Sequence, residues 1–278
     1  MSEVVRQHPA FKYMRKQFLP HIWCPGCGNG LILAAIIRAI DELGIDIDET
    51  SFVTGIGCWG LTGNYINADW LHTTHGRALP MATGLKLMNP KLKVFALTGD
   101  GDLAAIGGNH FIHAARRNVD LITICSNNMI FGRTGGQVAP TTPEGKYAST
   151  SPYGNIERPF DLCRLAEAAG ATHVERWTVM HPVPLTKAIK KAIEHKGFSF
   201  IEVLSPCPVQ YGRKNKFRNP SVLYNWVKEQ SVSIKKAQDM SEQELEGKFI
   251  IGEFVKKENI PDLSAQLLKL QESFENKS

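Results

Sequence analysis

Apolar runs of strand length alternate along this chain with apolar stretches at helical spacing. "LILAAIIRAIDELG" (31–44) is apolar and Ala-rich, and Gly44 closes it, which predicts a buried helix with a glycine stop. "SFVTGIG" (51–57) is β-rich and then glycine-rich, a strand running into a tight turn. "GRALPMATGLKLMNP" (76–90) predicts a helix of small residues stopped by Pro90. "KVFALTGDGD" (93–102) predicts a buried strand ending in a Gly-Asp turn. "LAAIGGNHFIHAARRN" (103–118) predicts one helix, loosened by Gly107 and Gly108, and "DLITICSNN" (120–128) a further strand. Residues 132–155 have no periodicity and many Gly, Pro, Thr and Ser, and a loop of this length in a compact domain is usually functional. "FDLCRLAEAAG" (160–170) and "VPLTKAIKKAIEH" (183–195) are amphipathic helices around a short strand near "ATHVER". "FSFIEVLSPCP" (198–208) is a last strand.

This alternation implies an α/β fold with a doubly wound parallel sheet. Ligands in such sheets sit beyond the carboxyl ends of the strands, where Gly55–Cys58, Gly99–Asp102, Asn127–Asn128 and Cys207 fall. Residues 1–208 form the expected α/β domain. Residues 209–278 differ in character and are expected to be a C-terminal extension. Between Gly212 and Lys236 there are seven Lys or Arg and one acidic residue, Glu229. That is either a solvated basic surface or a contact with an acidic protein or coenzyme phosphates. "SEQELEGKFIIGEFVKK" opens with a capping-box pattern, Ser241 to Glu244, and reads as a terminal arm or a partner-docking helix.

Composition narrows the classes. The 278 residues are 43% hydrophobic and 21% charged, enough for a sizeable core. A net charge of +5 suits an anionic cofactor or an acidic partner and falls well short of a nucleic-acid footprint. No run reaches the roughly 18 apolar residues of a membrane span. "MSEVVRQHPAFKYMRKQF" has no apolar export core, so a cytoplasmic location is expected, where thiols stay reduced. The six cysteines are then metal ligands or core residues rather than disulfides.

The strongest chemical signal is "GDGD" at 99–102 with "NN" at 127–128. Asp100 and Asn128 are separated by one strand–helix–strand unit, which brings both to one sheet edge. A carboxylate, an amide oxygen and a nearby carbonyl suit magnesium, which shares its ligands with a diphosphate. Glycines admit phosphate oxygens to backbone N–H groups at a helix start. In "HTTHGRALPMATG", His75 and Arg77 are placed for charge-assisted hydrogen bonds. The His72/His75 and His110/His113 pairs also allow zinc.

"WCPGCGNG" (23–30) poses a different choice. Cys24 and Cys27 have no second C-x-x-C for a zinc ribbon, although Cys27 precedes a helix as in thioredoxin-like redox pairs. Cys58 in "GIGCWG" and Cys207 in "SPCP" each follow a strand, and four such thiolates suit an iron–sulfur cluster. Cys125 and Cys163 read as small core hydrophobes.

Together, "WCPGCGNG", "GIGCWG", "HTTHGRALPMATGLK", "GDGD", "IGGNHFIHAARRN", "SNNMIFGRTGGQ" and "SPCP" resemble the β subunit of the 2-oxoacid:ferredoxin oxidoreductases, most closely the 2-oxoglutarate type. The resemblance spans about residues 10–215. It implies the diphosphate-side fold of thiamine enzymes, with thiamine diphosphate, Mg2+ and one 4Fe-4S cluster. By that resemblance Cys24, Cys27, Cys58 and Cys207 match the cluster ligands. Asp100, Asn128 and the Ile130 carbonyl match the magnesium ligands. Ile56, Gly57, Cys58, Trp59, His75, Gly76, Arg77, Ala78, Gly101, Asp102, Gly132 and Arg133 match the cofactor contacts, with His75 and Arg77 as catalytic candidates. Trp59 stands where a small residue is expected, and Gly135 where some relatives carry lysine. The implied reaction converts a 2-oxoacid, CoA and oxidised ferredoxin to acyl-CoA, CO2 and reduced ferredoxin. The implied partner is an α subunit that supplies the pyrimidine-side domain and a catalytic glutamate. A thiamine-dependent decarboxylase subunit without electron transfer leaves the four cysteines unused. A zinc-binding interaction subunit leaves the diphosphate motifs unused.

Overall fold

The computed structural model describes residues 9–275. Residues 1–8, part of the segment read as lacking an export core, lie outside the described residues. Six parallel strands form most of one sheet: β1 Thr50–Thr54, β2 Asp69–His72, β3 Lys93–Gly99, β4 Ile122–Asn127, β5 His173–Thr178 and β6 Ser199–Leu204. Two more, β7 Ser231–Ser233 and β8 Phe249–Lys256, extend it to the order β2-β1-β3-β4-β6-β5-β8-β7. β8 runs antiparallel to β5.

β1, β3, β4, β5 and β6 are almost entirely buried, as strands of a parallel sheet wrapped by helices on both faces must be. Phe52 of β1 points to one core with Ile32, Ile36 and Ile40 of the helix Asn29–Leu43 and with Leu185, Ile189 and Ile193 of the helix Pro182–Glu194. Its neighbour Val53 points to the other, with Leu79 and Ala82 of the helix Ala78–Met88, Phe111 of Gly108–Arg116 and Ala166 of Leu162–Ala168. The sheet is thus doubly wound. The helix Asn29–Leu43 stops where expected: Gly44 adopts φ +63° and its N–H caps Asp41 and Ile40.

Four features depart from the sequence reading. The stretch 103–118 is not one helix. A π-helical turn, Gly101–Ile106, precedes Gly108–Arg116, and Gly107 N donates to Asp102 O at 3.0 Å. A Cβ at Gly107 would stand 2.7 Å from that oxygen, so the glycine permits the wider turn. The short edge strand β2 is a second difference, since its largely exposed residues lack an apolar pattern. The third is that the predicted capping box at Ser241 and Glu244 forms, but the helix it opens is one turn, Glu242–Leu245. The following "FIIGEFVK" is β8, because its aromatic and β-branched residues pair with the edge of β5. Last, Cys163 is in the core, yet its Sγ donates to Glu202 Oε2 at 3.3 Å rather than acting as a simple hydrophobe. No helix of the described residues is long and apolar enough to cross a membrane.

Asn118 ties the end of the C-terminal segment to the sheet. Its side chain accepts from Phe198 N and Thr172 Oγ1, both at 2.8 Å, and donates to Pro261 O at 3.2 Å. Its backbone φ is +48°, a conformation that asparagine tolerates better than most residues. Asn118→Ala leaves buried donors unpaired and should cost about 1–3 kcal/mol. Urea unfolding checks this, and an unchanged midpoint would contradict it.

Candidate functional site

The carboxyl ends of β1, β3 and β4 and the turns after them enclose a cleft of about 80 Å³. It is lined by Ile56, Gly57, Cys58 and Trp59 after β1, His75 beyond β2, Gly99–Asp102 after β3 and Asn128–Thr134 after β4, Met129 excepted. Most residues matched to cofactor contacts therefore meet in one place. Gly76, Arg77 and Ala78 stand beside it. Gly76 N donates to Asp102, Ala78 is buried in the core, and Arg77 is exposed at the start of the helix Ala78–Met88.

Asp102 holds the cleft together. Its Oδ1 accepts from Gly76 N at 2.7 Å, Ile56 N at 3.2 Å and His75 Nδ1 at 2.6 Å. Because a carboxylate accepts, Nδ1 of His75 carries the proton. Burial raises the Asp102 pKa, while the Gly76 N–H, His75 and the Ile56 N–H oppose that rise. Glycines make this approach possible. A Cβ at Gly55 would fall 1.9 Å from Asp102 Oδ2, and one at Gly76, where φ is +73°, would fall 2.8 Å from Gly107 N.

Asp100 is a different kind of carboxylate. It is fully buried, and burial pushes its pKa up to about 6 despite Thr141 and backbone donors. Asn128 N approaches its Oδ1 at 3.4 Å, and Thr141 Oγ1 donates to its Oδ2 at 2.5 Å. Among the described residues no basic side chain forms an ion pair with it. A buried carboxylate without a counter-charge, beside the Asn128 amide and Ile130, fits a small divalent cation.

The four singled-out cysteines also converge. Burial is the main cause that pushes the Cys27 thiol up to about 12, and Cys207, Cys58 and Cys24 add to it. Burial likewise raises Cys58, with Cys207 and Cys24 adding to the shift and Arg133 opposing it. Among the described residues no three of these sulfurs lie within 4.8 Å of one another. Four thiols whose charges act on one another offer the all-sulfur donor set that an iron–sulfur core takes. The cysteine site and the cleft adjoin: a Cβ on Gly132 would lie 3.5 Å from Cys207 Sγ and 3.6 Å from Asn128 Nδ2.

The histidine pairs do not converge on a common ligand. His72 Nδ1 meets Thr54 Oγ1, His75 meets Asp102, and His113 accepts from Arg116. A closer set of ligand atoms, His173, Glu175 and Glu253, lies at the junction of β5 and β8, where Lys191 bridges the two carboxylates. Trp59 finds room in the core, 2% exposed, and its Nε1 donates to Ile124 O at 3.3 Å. Trp23 donates to Cys58 O at 2.7 Å and packs edge-on against Tyr65, steadying the cysteine loop. Sequence reasoning missed Trp23, Phe131 and Thr141. Phe131 was marked only by Gly101, whose Cβ would collide with its ring at 2.3 Å.

Residues 55–203 match the family described as "Thiamine pyrophosphate enzyme, C-terminal TPP binding domain". The chain is 54% identical over 269 residues to 2-oxoglutarate synthase subunit KorB of Methanocaldococcus jannaschii, across 97% of this chain and 99% of that one. It is 47% identical over 188 residues to the 2-oxoacid:ferredoxin oxidoreductase subunit beta of Saccharolobus solfataricus, across 67% of this chain and 62% of that one. Among solved structures it is similar to the 2-oxoglutarate:ferredoxin oxidoreductase from Magnetococcus marinus, with 2-oxoglutarate, coenzyme A and succinyl-CoA bound. The TM-score is 0.86 at 32% identity, over 96% of this chain and 91% of that one.

Gly55→Ala should displace the Asp102 carboxylate and weaken thiamine diphosphate binding by roughly tenfold or more, since hydrogen bonds to charged groups contribute about 1.5–3 kcal/mol. Gly84→Ala, where a Cβ meets nothing within 4 Å, is the control. Calorimetric titration reads both, and equal affinities would refute the role given to Asp102.

Proposed function

We infer the activity from a premise of kinship: this chain belongs to the β subunits of the 2-oxoacid:ferredoxin oxidoreductases, of the 2-oxoglutarate type. The reaction proposed for the assembled enzyme is 2-oxoglutarate + CoA + two oxidised ferredoxins giving succinyl-CoA, CO2, two reduced ferredoxins and a proton. The observation that carries this reading is the turn Gly55–Trp59. Its Ile56 N–H is held by Asp102 in the diphosphate cleft, and two residues later Cys58 joins the cysteine set.

Asp100, Asn128 and the Ile130 carbonyl would hold Mg2+. Cys24, Cys27, Cys58 and Cys207 would hold a 4Fe-4S cluster. When bound, thiamine diphosphate would supply an electron sink for decarboxylation and the cluster would supply one-electron redox chemistry. The chain's own residues bind and orient. Gly57, Gly101 and Gly132 let backbone approach the diphosphate. His75 lines the cleft with its Nδ1–H donating to Asp102, which leaves Nε2 as the acceptor of the ring. Arg133 supplies positive charge between the cleft and Cys58, and Arg77 supports from the rim.

The site proposed here is half of a whole. Ile56, which lines the cleft, is 38% exposed and Ile106, packed beside Gly76, is 45% exposed, so an apolar rim borders the site. Such a rim suits burial by a partner chain. We assign that partner as the α subunit, bearing the pyrimidine-side domain and the glutamate that activates the thiazolium. Ferredoxin is the proposed acceptor, and a reducing, cytoplasmic compartment suits the free thiols. The division at residue 208/209 remains our proposal for the functional boundary, although β8 of the later segment shares the sheet.

Three measurements test the reading. Cys24→Ala should lose most of its iron and acid-labile sulfide, while Cys125→Ala keeps both; full iron in Cys24→Ala would remove the cluster assignment. The chain alone should bind the cofactor weakly and reduce no viologen dye with 2-oxoglutarate, and the α subunit should restore turnover. Turnover by the chain alone at the rate of the complex would refute the split site. The complex should show a higher kcat/KM for 2-oxoglutarate than for pyruvate, and the reverse order would overturn the substrate assignment.

A further inference from the structure

Thr141 lies in the middle of the long loop, 41 residues from Asp100, and is 5% exposed. The loop is fastened there. Thr142 Oγ1 donates to Met129 O at 2.7 Å and accepts from Ala139 N at 2.9 Å, and Asn155 Nδ2 donates to Thr142 O at 2.8 Å. Thr141 therefore reaches Asp100 from a rigid support.

Behind Thr141 stands a buried polar chain. Asn127 Oδ1 lies 3.0 Å from Thr141 Oγ1 and accepts from Met129 N at 3.0 Å. Asn127 Nδ2 donates to Glu202 Oε1 at 2.7 Å, and Arg176 Nε donates to Glu202 Oε2 at 2.7 Å. Glu202, paired with Arg176, can only accept, so the Asn127 amide must present its nitrogen to Glu202 and its oxygen to Thr141. Thr141 has one hydroxyl proton and two acceptors. Asp100 Oδ2 is closer, at 2.5 Å, and ionisable, so it takes the proton. A cavity of about 780 Å³ is lined by Thr141, Asn127, Glu202, Arg176 and Trp226 among others.

The two oxygens of Asp100 are thus unequal. Oδ2 is committed to a short hydrogen bond from Thr141, while Asn128 N approaches Oδ1 at 3.4 Å and the N–H groups of Asp100 and Gly101 also reach the carboxylate. Magnesium demands near-octahedral geometry at short distances, whereas calcium takes more ligands and accepts carboxylates through both oxygens. We propose that Thr141 is a positioning residue that confines Asp100 to single-oxygen ligation and so sets the preference of the site for Mg2+ over Ca2+. This rests on the reading of Asp100 as the metal ligand.

The test is thiamine diphosphate binding to the assembled complex, followed by calorimetry with Mg2+ or Ca2+ as the titrated metal, in wild type, Thr141→Val, Thr141→Ser and Asp100→Ala. In Thr141→Val the half-saturating Mg2+ concentration should rise about tenfold and that of Ca2+ should rise less or fall, so that the ratio moves toward calcium. Thr141→Ser, which keeps the hydroxyl, should restore the wild-type ratio. An unchanged ratio in Thr141→Val, whether both metals weaken equally or neither does, would overturn the selectivity role and leave the magnesium reading standing. Undiminished Mg2+-dependent binding in Asp100→Ala would overturn the magnesium reading, and this proposal with it.

Discussion

One carboxylate oxygen organises the cleft. Asp102 Oδ1 gathers donors from the turn after β1, from the turn that opens the helix Ala78–Met88, and from the His75 ring. It joins those turns to the segment that follows Asp100. The cost of burying Asp102 is offset by charge-assisted hydrogen bonds, and the glycines at 55 and 76 exist to let them form. Asp102 lies within the π-helical turn Gly101–Ile106, which Asp100 immediately precedes. This turn lets the chain leave β3 with Asp100 and Asp102 serving two different clients.

That division of labour is what lets one sheet edge serve two chemistries. Asp102 is occupied by protein donors and shapes the cleft. Asp100 is left without a cationic partner and fits a metal. The cysteines gather next to it, with Gly132 as the spacer between Cys207 and Asn128. Trp23 fastens the Cys58 carbonyl, so the turn that forms one wall of the cleft is also fixed relative to Cys24 and Cys27.

Much of this was legible because it is local. The helix closed by Gly44, the strand ends at "GDGD" and "NN", and the separation of Cys125 and Cys163 from the other four thiols all follow from short patterns. The thiamine-binding family was legible in the same motifs. What was not legible depends on contacts distant in sequence. Thr141 is one hydroxyl residue among several in an aperiodic loop, and only the folded chain selects it. β8 is recognisable as a strand only once β5 offers it an edge. Trp59 read as an oddity beside the cofactor, because the sequence does not reveal that its indole turns into the core. Arg77 read as a cleft residue from its place in the motif, whereas its side chain is exposed at the rim.

The central claim is that the diphosphate cleft and the cysteine site share one wall, the turn Gly55–Trp59. The most direct test is the electron paramagnetic resonance spectrum of the anaerobically prepared, reduced protein, with and without saturating Mg2+ and thiamine diphosphate. A shared wall predicts that cofactor binding shifts the g values of the proposed cluster in its reduced state, because Ile56 and Cys58 lie two residues apart in one turn. An identical spectrum at full cofactor occupancy would contradict it.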